Sequence, residues 1–180
     1  MIYCFLADGF EEIEALATVD IIRRAGLDLK TVGIGDKVIC GAHGIKVECD
    51  IAEAEVVLDE NLKAVILPGG MPGTLNLENN CTVQSAIDFA FKKNIYLCAI
   101  CAAPLILGHK GILRGKSAIA YPGFEKELEG AYISENHVVC DDVIITAKGA
   151  GVAVDFALEI VSALCGKDTS EKIREAIQCV

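Results

Sequence analysis

Short apolar runs with strand character alternate with helical patterns along most of this chain. The runs cover residues 1–7, 28–34, 63–67, 95–100, 117–120 and 143–147, and the helical patterns cover 11–25, 82–93, 103–109, 151–164 and 169–177. Runs that are apolar on both faces are typical of parallel strands covered by helices. With right-handed crossovers, this order predicts an α/β fold, a doubly wound three-layer sandwich around a mostly parallel central sheet.

Two local features refine this prediction. Residues 38–48, VICGAHGIKVE, consist of two short runs around Gly-Ala-His-Gly, which indicates a β-hairpin. Gly26 follows the first helical pattern at the position where glycine commonly ends a helix. No repeat or long linker interrupts the chain, so we expect residues 1–180 to form a single domain.

Composition and charge exclude several classes of protein. Hydrophobic residues make up 53% of the chain, but no apolar run approaches the roughly 18 residues of a membrane span. The net charge of -10 repels a phosphate backbone, so we expect neither a nucleic-acid partner nor a membrane partner. The first residues, MIYCFLADGFEE, lack the basic segment and cleavage site of a secretory signal, which predicts a cytoplasmic protein.

The cysteines and glycines indicate neither a metal nor a cofactor. Nine cysteines, an odd number without tight spacing, favour reduced and mostly buried thiols over disulfides. Cys98 and Cys101 form a C-x-x-C, but Cys98 lies inside an apolar run instead of opening a helix, and no second pair completes a zinc site. Gly33 and Gly35 lack the third glycine of a dinucleotide fingerprint.

Three loops with distinctive sequences follow predicted strands. They read ADGFEEIE, LPGGMPG and ICAAP. In open parallel sheets ligands bind beyond the carboxyl ends of the strands, so these loops are expected to line one pocket.

Cys101 lies between a predicted strand and a helix that opens with Ala103 and Pro104. Proline is favourable in a first helical turn, and a helix N-terminus stabilises a thiolate. This arrangement predicts a nucleophile on a strand-to-helix elbow. The alternative is a buried structural thiol, and both readings remain open at this point.

Glu14 and the pair Gly69 and Gly70 are the other candidates. Glu14 shares a helical face with Thr18 and Ile21, and burial there would raise its pKa and let it exchange a proton with a thiolate. A partly exposed first-turn glutamate is the alternative. The glycines could place backbone N–H groups around an oxyanion, or could form an ordinary turn.

The ordered motifs DGFEEIE, VDIIRRAG, LPGG, AICAAP, SEN at 134–136 and TAKGAG at 146–151 closely resemble the ThiJ/PfpI superfamily. Within it, the match is to the branch of the parkinsonism-associated protein deglycase and the bacterial YajL-like proteins. The resemblance implies a flavodoxin-like sandwich of the class I glutamine amidotransferase-like kind, and a homodimer. It also implies a reactive cysteine at Cys101, a partner acid at Glu14, and oxyanion amides at Gly70 and Ala102.

Three positions depart from relatives. Ala102 follows the cysteine where the peptidase branch has histidine, and Tyr121 stands where many members of the deglycase branch have another. Proton transfer would then fall to Glu14, with Tyr121 donating a hydrogen bond to substrate. His43 replaces an arginine that relatives often place near the pocket.

The resemblance implies cofactor-independent handling of reactive carbonyls. The leading hypothesis is glyoxalase or deglycase chemistry on methylglyoxal or on glycated protein, in carbonyl and oxidative stress defence. The second is a redox-sensing or chaperone-like protein whose Cys101 becomes a sulfinic acid. A noncatalytic remnant of an amidotransferase-like fold is the third, while an intracellular peptidase or a thiamine-pathway role has less support from these residues.

Overall fold

The computed structural model describes residues 1–179. In chain order, strands β1 to β11 cover Ile2–Leu6, Leu29–Gly33, Val38–Cys40, Lys46–Glu48, Ile51–Ala52, Ala64–Leu67, Tyr96–Ile100, Ser117–Ala118, Tyr132–Ile133, Val138–Asp141 and Ile144–Ala147. Helices α1 to α6 cover Glu12–Arg24, Gly73–Glu78, Cys81–Lys92, Pro104–His109, Ala153–Cys165 and Lys167–Ala176.

A seven-stranded sheet forms the centre of the molecule. Its strand order is β10-β11-β7-β6-β1-β2-β5, and neighbours are parallel except for the antiparallel pair β10 and β11. The predicted mostly parallel sheet and α/β class are therefore confirmed. The chain runs from β1 outward to β2 and β5 and then crosses to β6 on the other side of β1, so the topological switch point lies between β1 and β6.

Two apolar layers cover the two faces of this sheet. Cys4 and Leu6 of β1 pack with α1 and α5, whereas Tyr3 and Phe5 pack on the opposite face with α2, α3 and α4. All five residues of β1 are buried, which explains why its sequence is apolar without alternation. Burial of one side chain of this size stabilises the folded state by roughly 1.5–3 kcal/mol. The two apolar layers together therefore stabilise this order of strands.

Helix α1 begins and ends as its sequence predicts. The carboxylate of Glu11 caps the helix by accepting the N–H of Glu14 at 2.7 Å. Gly26 follows the last turn with φ of +73°, a left-handed conformation that glycine adopts without strain. The cap holds Glu14 at a fixed height above the carboxyl end of β1.

Some predicted elements differ from the structure. The run 117–120 is not part of the central sheet: only Ser117–Ala118 is a strand, and it pairs with Tyr132–Ile133 in a separate two-stranded sheet. The sequence pattern missed β5, β9, β10 and α2, all short segments whose periodicity is too brief to read. The predicted hairpin at 38–48 is confirmed, with Ile39 opposite Val47.

The cysteines are less buried than we expected. All nine thiols are free, but only Cys4, Cys49 and Cys98 are buried. Cys98 lies in the core at 0% exposure and cannot act as an accessible redox partner of Cys101. Within residues 1–179, no helix combines the length and the apolar character needed to cross a bilayer.

Candidate active site

The loops after β1 and β6 pack against each other at the switch point. The N–H of Glu11 donates to the carbonyl of Gly69 at 2.9 Å, and the N–H of Gly73 donates to the carbonyl of Gly9 at 3.2 Å. These main-chain hydrogen bonds join the start of α1 to the glycine loop without depending on side chains. The structure thus brings together the ADGFEEIE and LPGGMPG stretches.

Cys101 occupies a strained elbow between β7 and α4. Its φ is +65°, a left-handed conformation that is uncommon for residues with a side chain. Two hydrogen bonds hold this backbone in place. The N–H of Cys101 donates to the carbonyl of Ala147 at 2.9 Å, and the N–H of Tyr121 donates to the carbonyl of Cys101 at 2.7 Å. Strain that is maintained by surrounding hydrogen bonds is typical of catalytic positions, and it turns the side chain out of the strand.

Glu14 is buried beside Cys101. The Glu14 side chain is 1% exposed, and its Oε2 accepts the N–H of Gly69 at 2.8 Å. Burial raises the pKa of this carboxyl to about 7, against the opposing effect of hydrogen bonds with the Cys101 thiol and the Gly69 amide. The second oxygen, Oε1, is buried and accepts no hydrogen bond of ordinary geometry within residues 1–179. Glu14 therefore has a free oxygen and a pKa suited to moving protons near neutral pH.

The Cys101 thiol does not ionise as readily as its position before a helix predicts. Burial, followed by the carboxylate of Glu14, raises the pKa of Cys101 to about 12, while hydrogen bonds from the amides of Ala102 and Gly70 lower it. Desolvation outweighs the effect of the amides on the Cys101 pKa, so the resting thiolate expected at a helix N-terminus stays a prediction. Cys101 and Glu14 instead form a pair in which ionisation of one depends on the proton held by the other.

Gly69 and Gly70 permit the close packing of this pair. A Cβ on Gly69 would lie 2.7 Å from the Cβ of Cys101 and 2.7 Å from Oε2 of Glu14. Gly70 has φ of +90°, and its amide faces the Cys101 sulfur. Only residues without a side chain fit between the nucleophile and the acid at this distance.

Tyr121 lies on the other side of Cys101. Its ring reaches Gly149, where a Cβ would lie 3.2 Å from Cδ2 of Tyr121 and 3.9 Å from Sγ of Cys101. The side chain is half exposed, and its hydroxyl makes no hydrogen bond to residues 1–179. Tyr121 thus forms a wall next to the nucleophile, with a hydroxyl left over for a ligand.

His43 is bound to Glu12 instead of Cys101. The ring Nδ1 of His43 lies 2.8 Å from one oxygen of the Glu12 carboxylate, and the backbone N–H of His43 donates to the other oxygen at 2.7 Å. Polar atoms of Glu11, Glu12 and His43 lie within 4.8 Å of one another, which is the spacing of a cation site. Glu11 caps Glu14, however, and both Glu12 oxygens already bind His43, so existing hydrogen bonds account for the cluster.

Sequence reasoning missed a cavity next to Tyr121. The cavity has a volume of about 330 Å³ and is lined by Tyr121, Pro122, His137, Lys148 and the loop 149–152. Gly149, one of its lining residues, is also a neighbour of Cys101, because a Cβ on Gly149 would lie 3.9 Å from the Cys101 sulfur. The signal was the TAKGAG stretch at 146–151, which begins with the last two residues of β11 and continues beyond its carboxyl end, at the same edge of the sheet as Cys101.

Comparisons with known proteins agree on one family. The family model described as DJ-1/PfpI matches residues 1–163. Protein dj-1beta of Drosophila melanogaster is 32% identical over 96% of this chain and 93% of its own length. The glutathione-independent glyoxalase DJR-1.2 of Caenorhabditis elegans is 32% identical over 91% of this chain and 87% of its own length. An oxidized DJ-1 of Toxoplasma gondii superposes with a TM-score of 0.90 at 27% identity, over 98% of this chain and 97% of that one.

Proposed function

The chain belongs to the DJ-1/PfpI family, and on that premise we propose that it converts small α-oxoaldehydes such as methylglyoxal into 2-hydroxy acids without a cofactor. The observation that carries this proposal is the contact between the Cys101 thiol and the buried Glu14 carboxyl, with the amides of Gly70 and Ala102 at the sulfur. Similarity to a glutathione-independent glyoxalase supports it. The same chemistry would apply to methylglyoxal bound as an adduct on glycated protein.

The first step pairs nucleophilic attack with proton transfer. Glu14 as carboxylate accepts the thiol proton while the Cys101 sulfur bonds to the aldehyde carbon, which gives a hemithioacetal. The aldehyde oxygen becomes an oxyanion, to which the amides of Gly70 and Ala102 are positioned to donate. Glu14 then passes the thiol proton to this oxygen, which completes the hemithioacetal and restores the Glu14 carboxylate. A resting thiol with a raised pKa is compatible with this step, because its proton leaves as the C–S bond forms.

The second step moves hydrogen between neighbouring carbons. Glu14 removes the proton from the aldehyde carbon and returns a proton to the former ketone carbon, so the first carbon is oxidised and the second reduced within one molecule. The resulting thioester reacts with water, which releases the 2-hydroxy acid and restores the thiol. No external oxidant or reductant is needed, and the pKa of about 7 suits Glu14 to both transfers.

Consumption of methylglyoxal with formation of lactate tests this function. Wild type should produce lactate without added cofactor, and Cys101→Ala should abolish production. As a control, Cys81→Ala removes an exposed thiol at the start of α3 and should leave the rate of lactate formation unchanged. Lactate formation at equal rates by wild type and Cys101→Ala would refute the proposal.

As a second candidate function, we propose a redox-sensing or chaperone-like protein whose Cys101 is oxidised to a sulfinic acid. The oxidized state of the Toxoplasma gondii relative favours it, together with the neighbouring Glu14, which in its protonated form can donate a hydrogen bond to a sulfinate oxygen. Mild peroxide should add two oxygens to Cys101 before any other cysteine. Equal oxidation of Cys101 and the exposed Cys81 would argue against it.

Three further properties belong to the same proposal. We propose that residues 1–180 form one domain, that the protein acts as a homodimer, and that it resides in the cytoplasm. The match of the family model over residues 1–163 supports the single domain, and the homodimer is what the family resemblance implies. Sedimentation at micromolar concentration would decide between one and two copies.

A further inference from the structure

The cavity beside Tyr121 differs in charge from the rest of the molecule. The chain carries a net charge of -10. The residues that line this cavity, in contrast, include two basic side chains, Lys148 and His137, and no carboxylate among residues 1–179. Its remaining walls are Tyr121, Pro122 and the backbone from Gly149 to Val152. An acidic protein thus presents a small basic cavity immediately next to its nucleophile.

Strand pairing directs the two basic side chains to the same side. Val138 and Ala147 are partners in the antiparallel pair β10 and β11, and the next pair is His137 and Lys148, joined by the Lys148 N–H to His137 carbonyl bond at 2.9 Å. Residues directly opposite each other on antiparallel strands extend from the same face, with Cβ atoms about 4.5–5.5 Å apart. Both side chains line the one cavity for this reason.

Neither basic group has a partner in the part of the chain that the structure describes. Within residues 1–179, the Lys148 ammonium forms no ion pair, and the ring of His137 makes no hydrogen bond, whereas His43 and His109 are both bound to glutamates. Helix α5 adds to this field, since its N-cap Val152 lines the cavity and no side chain caps its first N–H groups. A helix N-terminus favours negative charge.

We propose that this cavity is a subsite for the anionic end of the substrate, so that the protein acts on α-oxoaldehydes with a carboxylate a few bonds from the reacting carbonyls. The inference rests on the proposed function and narrows its substrate class. With the aldehyde carbon at Cys101, the tail would pass Gly149 and Tyr121, and the carboxylate would meet Lys148 and His137. A compound such as 4,5-dioxopentanoate has this form, and the same internal oxidation and reduction would yield 2-hydroxypentanedioate with addition of one water.

Protection of Cys101 tests the subsite without any turnover. Levulinate carries a ketone and a carboxylate but no aldehyde, and its methyl ester is the uncharged control. Levulinate should slow alkylation of Cys101 by neutral iodoacetamide at concentrations about tenfold lower than the ester requires. Lys148→Gln should abolish that difference, and His137→Gln should reduce it. Lys172→Gln, which removes an exposed charge on α6, should preserve it.

Turnover separates failure of the subsite from failure of the proposed function. Wild type should use 4,5-dioxopentanoate with kcat/KM about tenfold above that of its methyl ester, Lys148→Gln should lose this preference, and Lys172→Gln should keep both the preference and the rate on methylglyoxal. Equal protection by levulinate and its ester, or protection unchanged in Lys148→Gln, overturns the subsite even where methylglyoxal is consumed. Charge-dependent protection without consumption of any aldehyde upholds the subsite and refutes the proposed reaction.

Discussion

At the scale of single residues, the site depends on one proton shared between Cys101 and Glu14. Burial raises the pKa of both groups, and the Glu14 carboxylate raises the pKa of Cys101 further, whereas the hydrogen bond with the Cys101 thiol lowers the pKa of Glu14. The pair holds two protons below pH about 7 and one above it. Reactivity therefore belongs to the pair and not to the cysteine alone.

Glu14→Gln should change the pH dependence of alkylation at Cys101. In wild type the rate should rise with pH through a midpoint near 7, as the pair loses its first proton. In the variant no carboxylate can take the thiol proton, so the rise should move toward the higher pH at which the thiol itself ionises. Iodoacetamide rates by mass spectrometry provide the measurement, and superimposable profiles would contradict the pairing.

Gly69→Ala should separate the nucleophile from the acid. The new methyl group would overlap both Cys101 and Glu14, so we expect a loss of lactate formation of about a hundredfold or more, the usual cost of misplacing a catalytic base. Gly33→Ala also creates a close contact, with the carbonyl of Asp36 at 2.2 Å, but lies away from this pair. That control should lose stability while its folded fraction keeps the wild-type rate.

At the scale of elements, the β3–β4 hairpin is held to α1 by an ion pair. Glu12 is 4% exposed, and both its oxygens bind His43 in the hairpin turn. Although burial raises the pKa of Glu12, the hydrogen bonds from His43 lower it overall, and the Glu12 carboxylate raises the pKa of His43. The resemblance places position 43 near the pocket, and in the structure His43 also ties the hairpin turn to α1.

His43→Ala should destabilise the protein most at mildly acidic pH. The contribution of His43 is fully present below pH 6.5 and is lost as pH rises through its raised pKa, whereas that of Glu12 is lost as pH falls through its lowered pKa. The decrease in melting temperature should therefore be larger at pH 6 than at pH 9. In a Glu12→Gln background the same change should have a smaller effect, and additive effects would exclude coupling.

At the scale of the whole molecule, the buried carboxyl of Glu14 lowers stability in exchange for function. Its pKa is about 7 in the folded chain against 4.5 in the unfolded chain, so the folded state binds more protons between these values. Stability must then fall as pH rises from 4.5 to 7. The full difference corresponds to roughly 3 kcal/mol, at 1.36 kcal/mol for each pKa unit.

Glu14→Gln should accordingly stabilise the fold in a pH-dependent manner. The gain in free energy of unfolding should be near zero at pH 4.5 and should approach its maximum above pH 7, because the neutral amide needs no proton to remain buried. Urea unfolding at pH 5 and pH 8 measures it. Glu12→Gln is the matched control and should destabilise, since Glu12 has a lowered pKa and a charged partner. A gain of equal size at both pH values would contradict the argument.

Local sequence patterns were enough to predict the layered fold and the position of Cys101 at the end of a strand. Runs such as IYCFL and YLCAI are apolar on both faces, so helices must cover them, and parallel strands bring their carboxyl ends to one edge. That reasoning located Cys101, Glu14 and the two glycines, because position along a strand or helix is a local property.

The pKa values and hydrogen-bond partners of these residues depend on contacts that no local pattern contains. Desolvation by distant parts of the chain raises the pKa of Cys101, and Glu12 captures His43 across 31 residues of sequence. The basic cavity arises from pairing of β10 with β11, which places His137 beside Lys148. Burial and strand register depend on contacts between remote segments, and for that reason no local pattern contains them.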